Sequence, residues 1–247
     1  MLGKSINFEI LYLGELIDAF PTQSKISPHD ALEKLRIRYE SVESNINEFS
    51  DFIIKFSKMK LSFLFPEMIK DNDYFPMGFL VLIRILHSLL FQDILSNAGK
   101  VRKANDPNFG FVGFGGLSNR VAGQTKYCGS NPNNINEELR KAVMLLKKMN
   151  DDPIRAGLEF YRKFVKIHPF YEANGRIARI ILSIYLQYHG YYITWREIEV
   201  KRAGKFISKL NKCHTHENKP TYDKYFNLFV DFFRPFIHSI EDLNITT

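Results

Sequence analysis

The chain has 247 residues and a mass of 28.9 kDa, with 45% hydrophobic and 25% charged residues. That is the composition of an ordinary globular protein of one or two domains, and it excludes a disordered chain, a collagen-like repeat and a pure coiled coil. Two cysteines, Cys128 and Cys213, are too few for a disulfide-stapled scaffold, and 34 Lys+Arg against 27 Asp+Glu leave a formal +7 that would suit nucleic acid, phosphorylated ligands or acidic surfaces without choosing between them.

In chain order, the first residues carry Glu9, Glu15 and Asp18 where a secretory segment would be uninterrupted and apolar. Ser27 and Pro28 open a helix as N-cap and first helical residue, and Leu32, Leu35, Tyr39, Val42 and Ile46 form its stripe. An aromatic-rich helical stretch follows over residues 52–65, and Asp71, Asn72 and Asp73 mark a turn. Residues 75–95 read as a buried helix. Their most apolar part, residues 77–91, is shorter than the ~20 residues of a membrane span and contains Arg84 and His87. The expectation is a cytoplasmic chain with no membrane partner.

Residues 97–136 are dense in Gly, Asn and Pro, and a connection of that length inside a compact domain is usually functional. Regular structure resumes near Asn136, with Leu139, Val143 and Leu146 at helical spacing. Asp152 and Pro153 open the next helix, which has Leu158, Phe164 and Val165 inward and stops at His168 because Pro169 follows. Asn174 then caps a helix whose apolar face is Ile177, Ala178, Ile180, Ile181, Ile184, Tyr185 and Tyr188, and Gly190 ends it. Residues 195–240 read as further helices. The fold class is all-α, divided into an N-terminal helical extension over 1–70 and a helical domain over 71–247.

The chemistry is concentrated in residues 168–179, HPFYEANGRIAR. The first N–H groups of a helix lack internal partners and carry partial positive charge, so Ala173, Asn174 and Gly175 can present a nest to phosphate. Arg176 and Arg179 are helix neighbours placed off the apolar stripe that begins at Ile177, where they can hold two phosphoryl groups. Glu172 beside that nest suits Mg²⁺, which binds through one or two carboxylates plus phosphate oxygens. His168, with an unperturbed pKa of about 6.5, can take a proton from a hydroxyl at neutral pH. Together these parts describe phosphoryl or nucleotidyl transfer onto a hydroxyl.

The string HPFYEANGR resembles the signature of the Fic domain (filamentation induced by cAMP), HxFx(D/E)(G/A)N(G/K)R, in which most members have Gly where this chain has Ala173. Residues 91–102, FQDILSNAGKVR, resemble the family's upstream Ala-Gly-Lys-x-Arg segment, and residues 119–131, NRVAGQTKYCGSN, its target-positioning flap. The resemblance covers roughly residues 70–240. It implies a helical bundle with a small β-hairpin flap, and protein adenylylation (AMPylation): a nucleotidyltransferase moves AMP from Mg·ATP to a Ser, Thr or Tyr hydroxyl of a target protein, and pyrophosphate leaves. By matching position, His168 would be the general base and Glu172 the Mg²⁺ ligand. Ala173, Asn174 and Gly175 would form the anion hole, Arg176 would take the β-phosphate and Arg179 the γ-phosphate, and Phe170 would anchor the loop.

The flap residues Val121, Ala122, Gly123, Gln124 and Thr125 lie in a segment whose extended edge could pair with a target strand. Many relatives also carry an inhibitory helix of pattern (S/T)xxxE(G/N). Ser44 and Glu48 approach it here, Phe49 breaks it, and a register with Asn47 in the acid's place is the alternative. Cys213, His214, His216 and Glu217 resemble a metal cluster but lack the usual ligand spacing. No RNA- or DNA-binding signature accompanies the positive charge, so no nucleic-acid partner is expected. Self-modification and a homodimer are left open. The competing readings are the same fold transferring UMP, a phosphoryl group or phosphocholine, and a catalytically silent nucleotide-binding regulator.

Overall fold

The computed structural model describes residues 74–91, 95, 97–114, 127–148 and 151–241. The helices read over 28–65, the boundary at 70/71, Ser44 and Glu48, and the flap residues Val121, Ala122, Gly123, Gln124 and Thr125 lie outside the described residues. The chain divides into two compact units, Met1–Val101 with Phe170–Ile177, and Arg102–Pro169 with Ala178–Thr247.

In the first unit, helix α1 (Tyr74–Phe91) buries Phe79, Ile83, Leu86, His87 and Phe91 along one stripe. The apolar run reads as a buried helix. Within it Val81 is 52% exposed and Arg84 is exposed, so α1 also presents an outer side at these residues. The described remainder of this unit is Leu95, the segment 97–101 and the turn Phe170–Ile177, which opens helix α4 (Asn174–Tyr188).

The second unit begins with a two-stranded antiparallel ladder, β1 (Gly113–Phe114) on β2 (Tyr127–Cys128), in register Gly113↔Cys128 and Phe114↔Tyr127. Helix α2 (Ile135–Lys148) packs its buried Leu139, Ala142, Val143 and Leu146 on α3 (Pro153–Ile167). Asp152 caps α3 by accepting from the Arg155 N–H at 2.9 Å, with Pro153 at the first helical position, as the sequence predicts. Gly157 lies against α4: a Cβ there would be 2.7 Å from Leu182 Cδ1 and 3.0 Å from Tyr185 Cδ1.

Helix α5 (Trp195–His216) packs on α6 (Tyr222–Phe233), and both meet α3. Their shared core is aromatic: Trp195 lies 5.7 Å from Phe233 and 5.9 Å from Tyr161, ring centre to ring centre, and Phe206 lies 5.6 Å from Phe233. A second small sheet pairs β3 (Tyr191–Ile193) with β4 (Ile237–Ser239), antiparallel. The reading of 195–240 as helices alone missed β4. Three residues are too few to show an alternating pattern, and the partner lies more than 40 residues upstream. Gly190, at φ 82°, turns the chain from α4 into β3 in the left-handed region that glycine enters without a Cβ clash.

Candidate functional site

Helix α3 ends on His168, which sits at φ 53°, ψ 59° and donates its N–H to Phe164 O at 3.0 Å. A left-handed C-cap usually falls to Gly or Asn, and a histidine held there costs about 1 kcal/mol. Arg102, only 1% exposed, holds this turn. Its backbone N–H donates to Pro169 O at 3.0 Å, Nε to His168 O at 2.7 Å and Nη2 to Ile167 O at 3.1 Å. Nη2 also reaches Ser130 O at 3.0 Å, and Nη1 donates to Gly110 O.

The His168 imidazole is half-buried, and burial lowers its pKa to about 4, with the Arg102 charge acting in the same direction and the Val165 carbonyl against it. The ordinary value taken from sequence is therefore displaced by the loss of solvent. Nδ1 lies 3.3 Å from Val165 O, and because a carbonyl only accepts, Nδ1 carries the proton and Nε2 the lone pair. At neutral pH the imidazole is therefore uncharged, with its Nε2 lone pair available to a proton donor.

The turn from Phe170 onward is built by two side chains. The Asn174 amide closes both backbone groups of Phe170: Oδ1 accepts from its N–H and Nδ2 donates to its carbonyl, each at 2.9 Å. His87 closes the loop from α1. Its ring stacks on Phe170 at 4.0 Å, its Nδ1 accepts from the Gly99 N–H at 2.9 Å, and its Nε2–H donates to Glu172 O at 3.2 Å. Burial lowers the His87 pKa to about 4, so the imidazole is neutral and serves as a fixed post. Sequence reasoning assigned His87 no role. A lone histidine on the buried stripe of an apolar helix was the signal available.

Ala173, at φ 61°, makes the left-handed step into α4, and its carbonyl accepts the first helical bond, from Ile177 N at 3.1 Å. Ala173 rather than Asn174 is thus the cap residue. Asn174 lies inside the first turn, where its side chain shapes the loop. The N–H groups of Asn174, Gly175 and Arg176 then open the helix, where such groups have no intrahelical acceptor. A Cβ built on Gly175 meets no atom within 4 Å, so this position faces open space. Glu172 is half-buried. Burial raises its carboxyl pKa to about 7, and the nearby Arg176 charge opposes the rise. A desolvated carboxyl that ionises reluctantly alone is a group that a divalent cation would stabilise in its charged form. Among the described residues no three His, Cys, Asp or Glu gather as a metal cage. A lone carboxylate at a helix start is the kind of group that Mg²⁺ uses together with phosphate oxygens.

The sequence leaves the burial of the two arginines unspecified. Both lie off the stripe that begins at Ile177, yet both are buried, Arg176 at 5% and Arg179 at 4% exposed. The reason is that α4 is covered around most of its circumference. Besides the apolar stripe with Ile177, Ala178, Ile181 and Tyr185, the side carrying Ser183 is also buried, and Trp195 Nε1 donates to Ser183 Oγ at 2.9 Å. The Arg179 guanidinium lies over the same Trp195 ring at 5.9 Å, within cation–π range. Ile180 is half-buried and Tyr188 is 43% exposed, so the apolar face is narrower than predicted. Cys213 is buried with Sγ 3.4 Å from Tyr225 O, and His214 is buried beside it, both in helix packing. No helix among the described residues is long and apolar enough to cross a membrane.

No curated protein matches the chain. Among solved structures, the N-terminal Fic domain of a VirB-translocated Bep effector protein from Bartonella quintana is 19% identical, with a TM-score of 0.47 over 68% of this chain and 74% of that one. A structure described in the same words, with bound ADP, is 17% identical, with a TM-score of 0.47 over 67% and 76% of the two chains. The BepC protein from Bartonella tribocorum with bound AMPPNP is 15% identical, with a TM-score of 0.43 over 65% and 74%. The family described as Fic/DOC matches residues 80–186, a span running from within α1 almost to the end of α4. Those residues, which are similar to the Fic/DOC family, include the whole of the 168–179 string with its left-handed entry into a helix.

Proposed function

We propose that this chain is a protein adenylyltransferase, which transfers AMP from ATP to a Ser, Thr or Tyr hydroxyl of a target protein. The observation that carries this reading is the twelve-residue run 168–179, in which a neutral imidazole with a set tautomer is followed by a helix opening at the open-faced Gly175. The match of residues 80–186 to the Fic/DOC family supports it.

In this reaction His168 Nε2 accepts the proton of the target hydroxyl. The freed oxygen forms a bond to the α-phosphorus of ATP, the bond from that phosphorus to the bridging α–β oxygen breaks, and pyrophosphate leaves with the electron pair. The backbone N–H groups at the start of α4 hold phosphate oxygens, helped by the helix dipole. Arg176 and Arg179 serve the β- and γ-phosphates, and their burial strengthens the attraction because the surroundings are less polarisable than water. Glu172 would hold Mg²⁺, which supplies charge neutralisation on the phosphates. Asn174 and His87 keep the loop in shape, and Phe170 anchors it between them. The flap residues Val121, Ala122, Gly123, Gln124 and Thr125 would align the target strand, and Ser44 with Glu48 remains the candidate inhibitory pair.

The test is incubation of the full chain with Mg·ATP labelled at the α- or the γ-phosphate, followed by intact mass measurement of the chain and of added protein acceptors. Label retained only from the α-position, with a mass gain of one AMP that is absent in His168→Ala, is the expected result. Retention of γ-label would assign phosphoryl transfer instead. Nucleotide binding with no transferred label would assign a silent regulator.

A further inference from the structure

Arg102 does more than satisfy the end of a helix. Three consecutive carbonyls, those of Ile167, His168 and Pro169, converge on this one residue through Nη2, Nε and its backbone N–H. Two further bonds from the guanidinium reach the stems of the β1–β2 hairpin. Nη1 donates to Gly110 O, three residues before β1, and Nη2 to Ser130 O, two residues after β2. The stems are also tied directly: the Gly129 N–H donates to Val112 O and the Ser130 N–H to Ile167 O, each at 3.0 Å. There is no room to spare at this junction, since a Cβ on Gly129 would sit 2.8 Å from Arg102 Nη2 and 3.1 Å from His168 Cβ.

We propose that Arg102 is a positioning residue that locks the His168 turn and both stems of the hairpin into a single register. Its function would be to present the base and the hairpin to an acceptor hydroxyl as one rigid body. The inference rests on the reading of His168 as the base. The guanidinium is the side chain for this work, because it offers five N–H donors in a fixed planar fork, whereas an ammonium offers three from one point. Its charge also lies at the C-terminal end of α3, where the helix dipole and the orphan carbonyls favour a cation. Alignment of that kind matters for transfer, because a base misplaced by about 1 Å can cost around 100-fold in rate.

The experiment uses the full chain with labelled histidine and backbone nitrogen, as wild type, Arg102→Lys and Gly129→Ala, with His168→Ala to assign the imidazole. Arg102→Lys keeps a charge but loses the fork, and Gly129→Ala crowds the fork while leaving it in place. In both variants the amide resonances of Gly110, Ser130 and residues 167–169 are expected to shift together. In Arg102→Lys the His168 imidazole is expected to titrate higher than in wild type, as its neighbouring charge moves away. AMP incorporation should lose about 10-fold or more in kcat, with KM for ATP within about twofold. Unchanged amides and an unchanged His168 titration in folded Arg102→Lys would overturn the proposal, as would perturbation confined to one arm. If Arg102→Lys does not fold, Gly129→Ala decides on the same amides. If wild type transfers no AMP, the adenylyltransferase reading fails while the resonances still decide the role of Arg102.

Discussion

The imidazole of His87 lies on the ring of Phe170, with centroids 4.0 Å apart and planes 27° from parallel, while its two nitrogens bond Gly99 N–H and Glu172 O. One side chain of α1 thereby fixes the ring and the backbone of the loop that carries the candidate phosphate nest.

That arrangement separates stacking from hydrogen bonding. His87→Phe keeps an aromatic face for Phe170 but strands a buried donor and acceptor, a loss of about 2 kcal/mol or more. Urea unfolding of the variant should show this. Hydrogen exchange should be faster across residues 170–177, with the core of the second unit unaffected. If exchange in the loop is unchanged, the post is not what holds it.

Ala173 and Gly175 make opposite predictions for one methyl group. Ala173 occupies φ 61°, so Ala173→Gly relieves a left-handed alanine and should raise stability by roughly 1 kcal/mol in thermal or urea unfolding. Gly175 has open space at its Cβ position, so Gly175→Ala should fold at least as stably as wild type, yet bind ATP more weakly, because the new methyl projects where phosphate would approach. Calorimetric titration with ATP checks the second point, and undiminished affinity would move the nest elsewhere.

Arg179 lies over the Trp195 ring at 5.9 Å and is the residue proposed for the γ-phosphate. If it serves the phosphate, Arg179→Met should weaken ATP about 10-fold or more while leaving AMP nearly unaffected, because charge-assisted bonds of that kind are worth about 1.5–3 kcal/mol. Equal weakening of both nucleotides, measured by titration, would assign Arg179 to packing.

The buried ionisable groups set the pH response. His87 and His168 titrate in the folded chain at about 4, below the ordinary histidine value of 6.5. Between those values the unfolded chain binds protons that the folded chain refuses. Their contribution is complete above about 6.5 and is lost as pH falls towards 4. Glu172 works the other way: its carboxyl is raised from 4.5 to about 7, so its contribution is complete below 4.5 and is lost as pH rises through 7. Unfolding curves across pH 4–8 should therefore show an acid-side decline that is shallower in His87→Phe. Glu172→Gln should be more stable than wild type at pH 8 and should lose Mg²⁺-dependent nucleotide binding.

Much of the fold and part of the candidate site were legible in the sequence for a common physical reason: the information was local. Apolar residues spaced at three and four placed α2, α3 and α4, Asp152 with Pro153 marked a helix start, and Gly190 marked a helix end. The run 168–179 is contiguous, so its family likeness needed no tertiary contact to be seen. What only the tertiary structure decided lies across long stretches of chain. Arg102 reaches His168 across 66 residues and His87 reaches Glu172 across 85, and neither pairing leaves a periodic trace. The burial of Arg176 and Arg179 was equally invisible, because a helix shows in its own sequence which face is apolar but not whether a second face is covered, as Trp195 covers the side of α4 that carries Arg179. The pKa values of His168, His87 and Glu172 followed from that packing too, since burial is the largest cause of each shift. Residue order specified which groups are available, and the exclusion of water by distant segments set how each one behaves.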